Sequence, residues 1–276
     1  MLITDITAKT DRYNLHSHTQ FCDGHTPMEA MARAAADRGM LHYGFSPHSP
    51  ICVESGANMS RENVKPYLDE VDRLKSSSIE LPQLYTGMEI DFVSVDFGPH
   101  IDYFQRLPLD YRIGSVHFVP NQDGIPVDCD GSSERFIRYL KEVFAGDLRY
   151  VVEKYFEQVL TMLERGGFDM LGHLDKIAQN ASVADPEIER QPWYESLIDD
   201  VVSHAKTANV VVEINTKYIN EKGRFFPHEQ WWQKLKEAKL PIAVNSDAHW
   251  PEKVDEGRAQ AFEKLDASGF GFPLKQ

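Results

Sequence analysis

Short apolar runs recur along the chain, and each ends in a polar residue before a stretch of helical periodicity begins. The first run, residues 13–15, leads into His16 and His18, and Pro27 then opens a helical pattern over 28–38 with Gly39 placed to stop it. A second run, 41–45, ends in SPHSP with His48 and precedes a helical stretch over 61–75. The third, 84–88, ends at Glu89, and a segment rich in Asp, Gly and Pro (91–108) separates it from the fourth, 111–116, which ends at His117. The turn-rich segment 120–133 predicts a surface loop near the same place. Helical patterns follow over 133–144 and 149–165, closed by Gly166-Gly167, and the fifth run, 168–171, ends at His173. A helical pattern over 193–208 precedes the sixth run, 210–214, which ends at Asn215. Another over 227–239 precedes the seventh, 241–244, which runs into NSDAH with Asp247 and His249. A last helical pattern covers 255–267.

Strands that alternate with helices favour a parallel sheet, and this many units favour a closed α/β barrel, here a distorted seven-stranded (β/α)7 TIM-like barrel. No repeat, low-complexity tract or compositional break divides the chain, so residues 1–276 are expected to form one domain. In such barrels the chemistry sits at the carboxyl ends of the strands. Six of the seven runs end in a histidine or carboxylate, which is where that rule would put them.

Composition narrows the partners. At 42% hydrophobic and 26% charged residues, the chain reads as a soluble globular protein with a sizeable core. The net charge of -14 argues against a general affinity for nucleic acid or anionic membrane. It also means that a phosphorylated substrate would need local cations to reverse the field. The three cysteines (Cys22, Cys52, Cys129) form no CxxC pair, which suits a reducing compartment. No apolar run approaches the roughly 20 residues of a membrane span, and no signal-peptide pattern opens the chain. A cytoplasmic location is expected.

The run-end residues carry the chemistry. His16 and His18 stand at i and i+2, so a strand end aims both imidazoles to one face. Asp247 and His249 repeat that spacing at the other end of the chain. With Asp23, the set holds six histidines, two aspartates and one glutamate. A single ion needs about four to six ligands, so two or three divalent ions are expected, of zinc, manganese or iron type. Paired cations clamp the attacking and leaving oxygens of a phosphate ester and bring bound water towards neutrality as a hydroxide nucleophile.

The ordered set, HxH, then His48, Glu89, His117, His173 and a terminal DxH, resembles the polymerase and histidinol phosphatase (PHP) superfamily. The resemblance runs from His16 to His249, and the motifs GSVHF, GHLDKI, EINT and NSDAH resemble its histidinol-phosphatase branch. It implies a distorted seven-stranded barrel with a trinuclear metal site. His16, His18, Glu89 and Asp247 would hold one ion, and Glu89 would bridge to a second held by His117 and His173. Asp23, His48 and His249 would hold the third, with His25 the alternative to Asp23. The implied activity is hydrolysis of L-histidinol phosphate by metal-activated hydroxide, with Asp247 and His249 managing the proton. The alternative is another PHP phosphoesterase acting on small phosphate esters or oligonucleotides.

For substrate contacts, Arg224 in NEKGRFF is the first candidate phosphate donor, because arginine forks onto phosphate oxygens. His25 is a second candidate contact, Lys176 and Lys217 are less specific cations, and Tyr218 and Phe225 are candidate walls for an imidazole ring.

Overall fold

Each apolar run becomes a short buried strand in the computed structural model, which describes residues 2–271. The strands are β1 (Tyr13–Asn14), β2 (His42–Phe45), β3 (Gln83–Thr86), β4 (Glu89–Asp91), β5 (Ile113–Ser115), β6 (Phe118–Pro120), β7 (Pro126–Asp128), β8 (Met170–Leu171), β9 (Val211–Asn215) and β10 (Ile242–Asn245). They form a three-stranded parallel sheet, β1-β2-β3, and a five-stranded parallel sheet, β10-β9-β8-β5-β4. β6 and β7 pair separately as an antiparallel hairpin.

The expected single ring of strands is thus recorded as two parallel sheets, and local chemistry accounts for both interruptions. The ladder breaks at Gly87-Met88, at the end of the third run, so the run pairs with β2 as β3 and the residues just after it pair with β5 as β4. A bridge between His48 and Glu89 spans this break. Between β1 and β10, side chains intercept the backbone ladder. Leu15 N–H donates to Asn245 Oδ1 at 2.8 Å, and Ser246 N–H donates to Asn14 Oδ1 at 3.1 Å. Val244 N–H donates to Tyr13 Oη at 2.9 Å, and a parallel bridge, Ser17 to Ala248, follows at the strand ends.

Helices cover the outer faces with the expected periodicity. Met28–Asp37 buries Met28, Met31, Ala32 and Ala35, and Val64–Lys75 buries Val64, Tyr67, Val71 and Leu74, both against the smaller sheet. Leu148–Arg165 and Pro192–Ala208 pack in the larger core with β5 and β8 to β10. Each fully buried Leu, Ile, Val, Phe or Met contributes about 1.5–3 kcal/mol. Gly39 ends its helix at φ 72°, as the pattern predicts. The helix expected over 227–239 is a 3-10 turn (Glu229–Trp231) leading into Trp232–Ala238. The last helix is shorter than expected, Arg258–Ala267.

Tyr111 joins the two sheets from inside. Its hydroxyl donates to Leu15 O at 2.6 Å, and its ring occupies the space that a Cβ on Gly44 or Gly87 would take. The segment 91–108 buries Phe92, Val93, Phe97 and Phe104 and carries a short helix, Asp102–Gln105. Arg112 pins it by donating to the Phe104, Gln105 and Leu107 carbonyls. The segment 120–133 includes β7 and delivers Asp130 and Gly131 to a cavity beside the histidines. Among the described residues, no helix is long and apolar enough to cross a membrane.

Candidate metal centre

The carboxyl ends of the parallel strands converge on Glu89, which is almost completely buried. Its two oxygens divide the surrounding imidazoles. Oε2 faces His16 Nε2 at 3.2 Å, His18 Nε2 at 3.6 Å and His48 Nδ1 at 3.1 Å. Oε1 faces His173 Nε2 at 2.9 Å and His117 Nε2 at 3.6 Å. Asp247 Oδ1 lies 2.9 Å from His18 Nε2 and 3.9 Å from His16 Nε2. Asp23 reaches the same assembly, with Oδ1 at 3.1 Å from His18 Nδ1 and Oδ2 at 3.3 Å from His249 Nε2 and 3.9 Å from His48 Nε2.

Among the described residues, three overlapping groups could hold an ion: His16, His18 and Asp247; His48, Glu89 and His117; and His18, Asp23, His48 and His249. His173 lies outside these groups but bonds to Glu89, and its ring centroid is 5.0 Å from that of His117. His25 is not drawn in. It is exposed, stacks on the Trp250 ring at 4.1 Å and opens onto the cavity wall.

The donor set fits divalent ions on two grounds. First, His16 Nε2, His18 Nε2, His48 Nδ1, Asp23 Oδ1 and Glu89 Oε2 are buried close to one another without a hydrogen bond of good geometry. Poorly satisfied buried polar atoms are costly, and five in one cluster of imidazoles and carboxylates call for cationic partners. Donors around a tetrahedral ion at ~2.1 Å stand roughly 3.4 Å apart, a spacing that the close donor pairs bracket. Second, the far nitrogens of the rings are tied down. His16 Nδ1 meets Glu213 Oε1 at 2.7 Å, His117 Nδ1 meets Asp91 Oδ1 at 2.6 Å, and His249 Nδ1 meets the Asp247 carbonyl at 2.9 Å. Such outer contacts orient imidazoles towards a metal and raise their basicity.

Protons occupy part of this site when metal is absent. Burial disfavours charge on His16, but Glu213, Glu89 and Asp247 outweigh it and push the pKa up to about 10. Burial acts likewise on His117, where Asp91 and Glu89 push it up to about 10. His18 is also raised well above its ordinary value, against burial, by Asp23 and Asp247. His249 goes the other way, down to about 3, through burial and the cations His18 and Lys217. Burial opposes ionisation of Glu89, yet His48 and His16 hold its pKa well below the usual range. The protonated imidazoles thus stand where divalent cations would neutralise the same carboxylates.

Two ligand candidates, His173 (φ 21°) and Asp247 (φ 50°), sit in the left-handed backbone region. Such strain costs about 1–3 kcal/mol and concentrates at functional sites. Asn215 helps to hold Asp247 there, donating from Nδ2 to Oδ2 at 3.1 Å.

Arg224 does not reach this centre, contrary to the expectation from its loop. Its guanidinium is buried and committed to Asp175 Oδ2 at 2.9 Å and to both oxygens of Glu189 at 2.6 and 2.9 Å. Asp175 is fully buried, so it needs a cationic partner, and Arg224 supplies it. Phe225 likewise packs into the core beside Trp232, whereas Tyr218 does line the cavity. Among the described residues, the lysine at the centre is Lys217, whose Nζ lies 3.3 Å from Asp247 Oδ1 and 3.3 Å from His249 Nε2.

Glu213 and Asp91 were not among the residues singled out from the sequence. Both carried a signal: Asp91 lies at i+2 from Glu89, and Glu213 is a charge inside the apolar run VVVEIN. The cluster opens on a cavity of about 220 Å³ and on another of about 310 Å³. They share Asp23, Lys217 and Tyr218.

Parallel strands whose carboxyl ends gather histidines and carboxylates around one buried glutamate define an α/β protein whose donor groups could hold divalent metal. The PHP domain model matches residues 14–217, more than half of the chain, and the protein belongs to that family. It is 25% identical over 196 residues to a Clostridium acetobutylicum protein named "Probable histidinol-phosphatase", covering 70% of this chain and 69% of the relative. Its fold matches a Listeria monocytogenes protein assigned as a histidinol phosphatase, with TM-score 0.79 and 19% identity over 90% of this chain and 99% of that one. It also matches the histidinol phosphate phosphatase of Lactococcus lactis subsp. lactis, solved with zinc, L-histidinol and phosphate, with TM-score 0.72 and 19% identity over 95% of both chains.

Proposed function

We propose that this protein is a metal-dependent phosphatase that hydrolyses L-histidinol phosphate to L-histidinol and phosphate, a step of histidine biosynthesis. The observation that carries this reading is the convergence of buried imidazole and carboxylate atoms around Glu89. The names of the Clostridium relative and the Lactococcus structure supply the substrate.

In this reading three ions, of zinc, manganese or iron, would occupy the centre. His16, His18, Asp247 and Glu89 would hold the first; Glu89, His117 and His173 the second; Asp23, His48 and His249 the third. The grouping of His48 with Glu89 and His117 makes it a candidate to contact the second as well. We read the two sheets as arcs of one distorted seven-stranded barrel, supported by the bridges His48–Glu89 and Ser17–Ala248, and the chain as a single domain.

When bound, such ions supply Lewis acidity and bring the pKa of water towards neutrality. The protein's own groups do the rest. Glu213 and Asp91 hold His16 and His117 in place, and Asn215 fixes the Asp247 carboxylate. Asp247 and His249 both line the larger cavity, where we assign them to manage the proton passed to the leaving alkoxide. His25, on the rim of that cavity, is a candidate contact for the organic part of the substrate.

A panel of phosphate monoesters and a short oligonucleotide tests the substrate. The metal-loaded protein should release phosphate from histidinol phosphate in preference to the others. Turnover confined to another ester, or to the oligonucleotide, would instead support a different PHP phosphoesterase.

A further inference from the structure

An anionic substrate approaching this protein meets a net charge of -14, so something local must attract it beyond the ions themselves. The residue expected to do so, Arg224, is locked between Asp175 and Glu189. Lys176 is also engaged, 3.2 Å from Asp130 and over the rings of Tyr218 and Phe226. Among the described residues, Lys217 is the one Lys or Arg whose side chain forms an ion pair with a member of the candidate metal centre.

Its position follows from the end of β9. Asn215 turns its side chain back to accept the Lys217 backbone N–H at 3.1 Å, which directs the lysine stem across the mouth of the site. The side chain lines both cavities, between the Asp23 wall and the Tyr218 ring. Its ammonium rests on Asp247 and His249, the same groups that the proposed ions would use.

That overlap has a consequence. An ammonium and a divalent ion compete for Asp247 Oδ1, and two cations on one carboxylate oxygen repel each other. The four-carbon lysine stem is flexible and its ammonium is a point charge with rotatable donors. With Asp247 engaged elsewhere, Nζ is free to turn into the adjoining cavity, where it can pair with an anion lying against the ligand wall.

We propose that Lys217 binds the phosphate group of the substrate, in the role that Arg224 cannot fill. This rests on the phosphatase reading for the substrate, while the affinity for phosphate itself is measurable without it.

The test compares Lys217→Met and Lys217→Arg with the unsubstituted protein, all metal-loaded. Inorganic phosphate is titrated by calorimetry, and metal content is read by elemental analysis. Lys217→Met should weaken phosphate binding by about tenfold or more, the scale of a lost charged hydrogen bond. Lys217→Arg should keep most of the affinity, and metal content should be equal in all three. Hydrolysis of histidinol phosphate and of p-nitrophenyl phosphate should fall by similar factors in Lys217→Met, because both esters present the same phosphate. A loss confined to histidinol phosphate would overturn the proposal in favour of a proton donor to the poorer leaving group. Unchanged phosphate affinity, absent binding by the unsubstituted protein, or metal lost from Lys217→Met would overturn it as well. If the protein binds phosphate but does not hydrolyse histidinol phosphate, the substrate reading fails while the titration still decides the role of Lys217.

Discussion

Glu213 accepts a hydrogen bond from His16 Nδ1 at 2.7 Å, joining the middle of β9 to the second residue after β1. The same carboxylate takes the His173 backbone N–H at 3.0 Å and the amides of Asn215 and Asn245, each at 3.1 Å. One buried acid therefore sets the attitude of two candidate ligands. Glu213→Gln removes the charge that favours the Nδ1–H tautomer of His16 and should weaken metal binding by about 10–100-fold. A chelator-competition titration with zinc measures this, and an unchanged affinity would show that Glu213 has only a packing role.

Metal and protons compete for the same imidazoles, which predicts a pH signature. His16 and His117 have pKa values near 10 in the metal-free fold against an ordinary 6.5. A raised folded-state pKa gives stability that is fully present below pH 6.5 and is lost as pH rises through 10. Thermal melts of chelator-treated protein should therefore show Tm falling across that interval. Zinc needs the neutral rings, so its binding should release protons and its stabilisation should grow over the same range. A gap between zinc-loaded and metal-free Tm that stays constant with pH would contradict this.

Asp23 and His25 were both open as the ligand beside His48 and His249, and only Asp23 points into the cluster. Asp23→Asn should lower the metal content by about one ion per chain, with His25→Ala leaving it unchanged. Elemental analysis decides, and the opposite pattern would return the third ion to His25.

The interior of the fold has its own test at Gly44, where an added Cβ would lie 2.2 Å from Tyr111 Oη. Gly44→Ala should cost about 1–3 kcal/mol in denaturant unfolding, the scale of core overpacking. Gly56→Ala, with nothing within 4 Å, is the control and should change little. Equal stabilities would mean that the Tyr111 ring yields at little cost.

Much of the centre was legible because its residues follow directly on the apolar runs that become strands. The pairs His16/His18 and Asp247/His249 lie just past the ends of β1 and β10, where apolar runs give way to polar residues, and the same abrupt ends mark Glu89, His117 and His173. What was not legible depends on partners far apart in the chain. Arg224 looked like a loop cation until the fold brought buried Asp175 to it from 49 residues away. The ladder break at Gly87-Met88, and the interception of the β1–β10 ladder by Asn14 and Asn245, likewise depend on contacts that no local pattern carries. Glu213 was missed because it ended no run, although a carboxylate inside an apolar strand has to find a buried partner.

The central claim, a phosphatase that works through metal held by these residues, is tested most directly by phosphate release from L-histidinol phosphate after metal stripping and reloading. The loaded protein should hydrolyse the ester, the chelated protein should not, and added zinc or manganese should restore the activity. Release that persists in fully metal-free protein, or its absence from protein carrying a full complement of ions, would contradict the account.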